Sequence, residues 1–168
     1  IWIETDGREV TWLDNSNPFS NFRSTSEVRQ QTFSLNENGG DFSILQDILQ
    51  KDNQLQTIQS LNLRSGKIVI NQIKELVSFG NSFNHLNDLY LGNNNFGDDG
   101  VKELVKLLML QASHIEVLDL EGNNITVVGM KELIKVLPRM TSLRALYLGN
   151  NNFGDDEIVE LAKVMPTF

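Results

Sequence analysis

One string of letters occurs twice in this chain. Leu89–Asp99 reads LYLGNNNFGDD and recurs without change as Leu146–Asp156, an offset of 57 residues. A related string from Leu118 to Ile125 lies between the two copies and divides that offset. Aligned on Asn94, Asn123 and Asn151, the unit is 29 and then 28 residues long. A step of 28 towards the N-terminus reaches Gly66, preceded by Leu61 and Leu63, and a further step reaches Asn38, preceded by Phe33 and Leu35. Five units result, the first of them degenerate. Self-similarity at this period describes one supersecondary unit that cannot bury its apolar face alone and must stack on its copies.

Within each unit the pattern is Leu-x-x-Leu-x-Leu-x-x-Asn-x-apolar, as in Leu86, Leu89, Leu91, Asn94 and Phe96. Alternating leucines predict short strands near residues 32–35, 59–63, 87–91, 116–120 and 144–148. The second half of each unit is helical. Val101, Leu104, Val105 and Leu108 follow helical spacing, as do Met130, Leu133, Ile134 and Leu137, and Ile158, Leu161, Ala162 and Met165. Strand and helix in alternation, stacked in register, give an α/β fold with a parallel sheet.

Over residues 31–168 these motifs resemble the leucine-rich repeats of the ribonuclease-inhibitor-like subfamily, whose units alternate between 28 and 29 residues. The resemblance implies a right-handed α/β solenoid, a leucine-rich-repeat horseshoe of about five repeats with its parallel sheet on the concave face. It implies little about function, because that scaffold carries many different partners.

Composition excludes several classes. Acidic residues outnumber basic ones by 22 to 14, for a net charge of −8, which argues against a nucleic-acid partner. Zero cysteine removes disulfides, thiolate metal sites and cysteine nucleophiles. No apolar run approaches the roughly 20 residues of a membrane span, so no membrane partner is expected. No signal peptide is visible at Ile1-Trp2-Ile3, and a cytoplasmic setting is expected, or a host cytosol if the chain is a secreted bacterial effector.

Residues 1–27 lie outside the repeat. Ile1, Ile3, Val10 and Trp12 fall on one face of a hairpin turning at Asp6-Gly7, read as an N-terminal cap on the first repeat, with the repeat domain at 28–168. Pro166-Thr167-Phe168 follows the last helix with no polar terminal repeat. Leu146, Leu148 and Leu161 are therefore expected beside an open edge, covered either by further repeats or by self-association with a second copy of the chain.

Catalytic templates are missing: there is no G-x-S-x-G, H-E-x-x-H or phosphate-binding glycine loop. A calcium loop starting at Asn95 fails because its third and twelfth positions are Gly97 and Lys106. Neither a metal nor a cofactor is expected. Asp98-Asp99 and Asp155-Asp156 read as helix caps, and His85 and His114 as solvated loop residues. Asn94, Asn123 and Asn151 read as a buried ladder of amides, with Gly66 leaving the second unit looser. Asn124-Ile125-Thr126 matches a glycosylation acceptor, relevant only to a secreted chain. Lysine–glutamate pairs such as Glu103/Lys106 mark a solvated convex face.

Function is then sought on the concave face. One column runs Ser34, Asn62, Tyr90, Asp119, Tyr147; its neighbour runs Asn36, Arg64, Gly92, Glu121, Gly149. From the third unit the face turns aromatic and acidic, and Asp88, Tyr90, Glu116, Asp119, Glu121 and Tyr147 form the expected partner-binding patch. Tyr90 and Tyr147 would stand roughly 10 Å apart with Asp119 between them, a slot for one flat cationic side chain of the partner, arginine above all. This predicts a non-catalytic module that binds a protein with a basic surface. The alternative is a substrate-recruiting adaptor or regulatory domain of a larger protein, such as a bacterial effector, a ubiquitin-ligase receptor or a GTPase regulator.

Overall fold

The computed structural model describes residues 2–4, 32–34, 42–50 and 58–164. Its strands are β1 (Trp2–Glu4), β2 (Thr32–Ser34), β3 (Ser60–Asn62), β4 (Asp88–Tyr90), β5 (Val117–Asp119) and β6 (Ala145–Tyr147). Helices α1 (Phe42–Gln50), α2 (Ile70–Ser78), α3 (Gly97–Leu110), α4 (Val127–Val136) and α5 (Asp155–Val164) follow β2 to β6 in turn. The sheet order is β1-β6-β5-β4-β3-β2. Strands β2 to β6 are all parallel, each lying beside the strand of the next repeat. Five repeats of strand and helix are thus present, as the 28- and 29-residue period requires.

Register follows from the leucines. Phe33, Leu61, Leu89, Leu118 and Leu146 stand opposite one another along the sheet. All five point into a single core shared with Ile73, Leu76, Val101, Leu104, Leu108, Met130 and Leu133 from the helices. Each fully buried aliphatic side chain of this kind stabilises the fold by about 1.5–3 kcal/mol. Of the expected helical positions, Val101, Leu104 and Leu108 of α3 and Met130 and Leu133 of α4 are buried, as is Leu137 just after α4, while Val105 and Ile134 are half-buried. In α5 Leu161 is buried, Ile158 half-buried and Ala162 exposed; among the described helices α4 is the one that packs closely on it.

The asparagine ladder forms as expected. Asn151 donates through Nδ2 to the carbonyls of Leu120 and Leu148 (2.9 and 3.0 Å), and its Oδ1 accepts from the N–H groups of Asn123 and Ile125 (3.0 and 2.9 Å). Asn123 reaches back to Leu91 and Asn94 in the same way, and Asn94 to Leu63 and Ile68. Each amide therefore binds its own repeat to the preceding one. At Gly66 the chain substitutes a local turn, with the Gly66 N–H donating to the Leu63 carbonyl at 3.2 Å. The residues flanking the ladder adopt left-handed backbone: Asn93, Asn95, Asn124 and Asn150 all have φ between 53° and 64°. Asparagine tolerates that region better than other side-chain-bearing residues. Ser65 and Lys67 hold it in the second repeat at a steric cost.

Asp98 departs from its expected role. It sits in the first turn of α3 but caps the next repeat's helix instead of its own. Its Oδ1 accepts from the N–H groups of Thr126 and Gly129 (2.8 and 2.9 Å), and its Oδ2 from the Thr126 hydroxyl (2.6 Å). Its exact letter-copy in the last repeat, Asp155, is exposed.

At the far side of the sheet, β1 pairs antiparallel with β6, placing Trp2 opposite Tyr147 and Glu4 opposite Ala145. This corrects the expected open edge: the β6 backbone is paired, and Leu146, Leu148 and Leu161 are buried. The turn at Asp6-Gly7 and its return residues Val10 and Trp12 lie outside the described residues, as does Asn36. No helix among the described residues is long and apolar enough to cross a membrane.

Candidate functional site

Because Leu61, Leu89, Leu118 and Leu146 turn towards the helices, strand residues on either side of them turn to the helix-free face. Parallel register brings Tyr90 level with Asp119 and Asp119 level with Tyr147. The same register sets Asp88 beside Val117 and Val117 beside Ala145. The aromatic–acid–aromatic order expected across three strands is therefore present.

Exposure differs from expectation. Asp119 is 0% exposed and Tyr147 6%, whereas Asp88, Tyr90, Glu116 and Glu121 are half-buried. The Asp119 carboxylate has its hydrogen-bonding needs met within the chain. Its Oδ1 accepts from the Glu121 N–H at 3.0 Å, and its Oδ2 accepts from Nη1 of Arg64. Arg64 Nη2 donates to Glu121 Oε2 at 2.5 Å, and Glu121 Oε1 accepts from Asn150 Nδ2 at 2.8 Å. A guanidinium thus reaches Asp119 from the second repeat, two strands away. Asp119 is buried and paired within the chain, so reversing its charge would damage the fold.

Gly92 makes this arrangement possible. It occupies the column between Arg64 and Glu121, and a methyl group there would overlap Arg64 Nη1 and come within 2.6 Å of Asp119 Oδ2. A signal was present in the sequence: Arg64, Gly92 and Glu121 share one column, opposite charges separated by a residue with no side chain.

The second acidic pair, Asp88 and Glu116, is neutralised more weakly, through the exposed Arg144. Burial, with the neighbouring Glu116 charge, pushes the Asp88 carboxyl up to about 6. Glu116 has Arg144 beside it at 3.7 Å, an exposed and long contact of small energetic weight. Burial also raises the Tyr90 hydroxyl above its ordinary value, with further contributions from Asp88, Tyr147 and Asp119. At Asp119 burial again pushes upward, outweighing the opposing pull of Arg64 and the Glu121 N–H.

Other marked positions carry no site. His85 and His114 are exposed in loops. Asn124 is exposed and its amide donates to Asn95. Lys102–Asp99, Lys106–Glu103 and Lys135–Glu132 pair on the outer helices. Among the described residues no group of three or more histidine, aspartate or glutamate side chains is arranged to hold a metal.

Residues 84–105, 111–133 and 139–162 each match the family model described as Leucine Rich repeat. These three units are leucine-rich repeats. Each matched segment begins in the loop before a strand (β4, β5 or β6) and runs into the following helix. Leucine-rich repeats generally build protein-interaction modules and are typically non-catalytic. No curated protein matches the chain.

Proposed function

We propose that this leucine-rich-repeat array, of the ribonuclease-inhibitor-like kind by its 28- and 29-residue alternation, is a non-catalytic module that binds a basic protein segment. Binding takes place on the helix-free face. The observation that carries the reading is the Asp88–Glu116 pair: two neighbouring carboxylates, half-buried, whose mutual repulsion is relieved when a cation arrives. Tyr90 lies between this pair and the Arg64–Asp119–Glu121 cluster, offering a rigid apolar surface to the stem of a lysine or arginine. Asp119 and Tyr147 support the face from below and Glu121 borders it. Absence of cysteine fits a cytosolic setting.

The test is direct binding of a short lysine/arginine-rich peptide to the purified protein, measured by calorimetry against a glutamate-rich peptide of equal length. Asp88→Asn combined with Glu116→Gln should weaken the basic peptide by about tenfold, the loss of two charge contacts at a partly solvated rim. Unchanged affinity in that double variant would remove the reading.

A further inference from the structure

Helix α5 keeps one flank uncovered. In α3, packed between α2 and α4, Asp98 is half-buried and Val101 fully buried; their counterparts in α5, Asp155 and Ile158, are exposed and half-buried. Strand β1 covers β6 along Ala145–Tyr147, but among the described helices α4 is the one that packs closely on α5. Val159, beside Ile158, breaks the pattern of the repeats. The same column holds Lys74, Lys102 and Lys131 in α2, α3 and α4, all exposed. In α5 it holds the most exposed large apolar side chain among the described residues, at 55%. The charges around it differ as well. Glu103–Lys106 and Glu132–Lys135 pair along α3 and α4 at 2.7 and 2.8 Å, whereas the third copy, Glu160 and Lys163, does not form that pair. Charge along α5 is polarised, with Asp155, Asp156 and Glu157 in its first turn and Lys163 in its last. Glu157 is engaged locally, accepting from the Gly154 N–H at 2.9 Å, while Asp155 and Asp156 are exposed.

We infer that α5 is the contact helix of a homodimer, in which two copies of this chain pack their α5 helices antiparallel across a two-fold axis beside Val159. The helix is self-complementary in that arrangement. Asp156, Val159 and Lys163 follow the i, i+3, i+7 spacing of one helix face. Asp156 and Lys163 lie equally far from the midpoint between Val159 and Glu160, so each copy sets its Asp156 against Lys163 of the other. Two ion pairs then flank a valine–valine contact, and the opposed helix dipoles attract. A lysine at this position, as in the three preceding repeats, would set two like charges together on the axis. A face about 15 Å long falls short of the roughly 1,000 Å² of a stable interface. The dimer is therefore weak and reversible, with a dissociation constant on the order of 100 µM. The proposal is independent of the acidic-face reading, because neither Asp88 nor Glu116 takes part.

Sedimentation equilibrium of the purified chain, from about 10 µM to about 1 mM, tests the dimer. Wild type should move from monomer to dimer mass across that range. Val159→Lys restores the lysine of the column at an exposed position, so circular dichroism and melting should be unchanged while the dissociation constant rises at least about tenfold. Lys163→Glu should weaken the dimer by about tenfold, and adding Asp156→Lys should recover it, because the exchanged charges meet again across the axis. The chain has no cysteine, so Val159→Cys reports the axis directly. Mild oxidation should link Val159→Cys chains at least about tenfold faster than Val69→Cys chains, whose position before α2 is exposed to a similar degree. A wild type that stays monomeric to about 1 mM would overturn the proposal. So would a dimer that Val159→Lys leaves intact, or equal rates of cross-linking at positions 159 and 69.

Discussion

Replacing Asp98 with alanine tests how the repeats are joined. The carboxylate accepts three hydrogen bonds from the next repeat, at 2.8, 2.6 and 2.9 Å, and nothing else among the described residues serves those donors in its place. Two of the donors are backbone N–H groups at the N-terminus of α4, where a negative charge also meets the positive end of the helix dipole. Removing an ionised cap of this kind costs about 2 kcal/mol for the cap and up to about 1 kcal/mol for the dipole, so about 3 kcal/mol is expected. Asp98→Asn keeps an acceptor but loses the charge, and about half that loss should follow. The contact can also be broken from the other side: a methyl on Gly129 would come within 2.5 Å of Asp98 Oδ1 and 2.8 Å of Ile125 Cγ2, so Gly129→Ala should be of similar size. Urea unfolding followed by circular dichroism measures each variant.

The repeat supplies its own control. Asp155 stands in the same letters as Asp98 but is exposed, and Asp155→Ala should cost no more than about 0.5 kcal/mol, its share of the dipole interaction. The pH dependence has a definite sign. Burial pushes the Asp98 carboxyl upward, but the hydrogen bonds from Thr126 and Gly129, with Lys102 nearby, outweigh it and hold it below its ordinary 3.8. A lowered folded-state value gives stability that is present above about pH 4 and disappears as pH falls through it. Wild type and Asp98→Asn should therefore converge in acid. Equal costs for Asp98→Ala and Asp155→Ala at pH 7 would refute the inter-repeat cap.

Three further outcomes are expected. Asn123→Ala should cost about 3 kcal/mol in chemical unfolding, since it strands the Asn94 N–H and removes the donor to the Leu91 and Glu121 carbonyls inside the core. Gly92→Ala should destabilise by about 2 kcal/mol, as overpacking does, and a thermodynamic cycle should show most of that cost absent in an Arg64→Ala background, where the obstructing guanidinium is gone. Asp88→Asn should raise the melting temperature at pH 7: a carboxyl raised to about 6 destabilises the folded state as pH climbs from about 4 through 6, and the asparagine variant should lack that slope.

Much of the architecture was legible because repetition enforces it. Three successive leucine pairs at 28- and 29-residue spacing leave one register that buries every one of them, and all five parallel strands lie inside the ranges the pattern gives. The asparagine ladder was legible for the same reason: a polar residue recurring at a buried position must find backbone partners. The acidic face was legible in its order but not in its exposure. Asp119 and Arg64 are 55 residues apart and meet only because Gly92 leaves the way clear, a relation read across columns of the repeat and not along the chain. Asp98 was assigned to the wrong helix because a capping residue looks local in sequence, while its partners Thr126 and Gly129 lie one repeat away. The pairing of Trp2–Glu4 with β6 had no signal at all, since three residues are too few to carry a pattern.

That last pairing bears on the order in which the molecule assembles. Neighbouring strands of the array join residues about 28 apart, and the entropy of closing such a loop is about 3 kcal/mol by ideal-chain scaling; closing β1 onto β6 joins Ile3 to Leu146 and costs about 4.4 kcal/mol by the same scaling. The extra 1.4 kcal/mol, roughly a factor of ten in rate, is met by only three residues of ladder. Once the repeats are stacked, however, β6 is already in place and much of that closure has been covered by contacts made in between. The antiparallel strand is therefore the step that waits for all the others. Its amides should exchange with solvent sooner than those of β5, and a chain stalled before its last repeat forms would have nowhere to put its first residues.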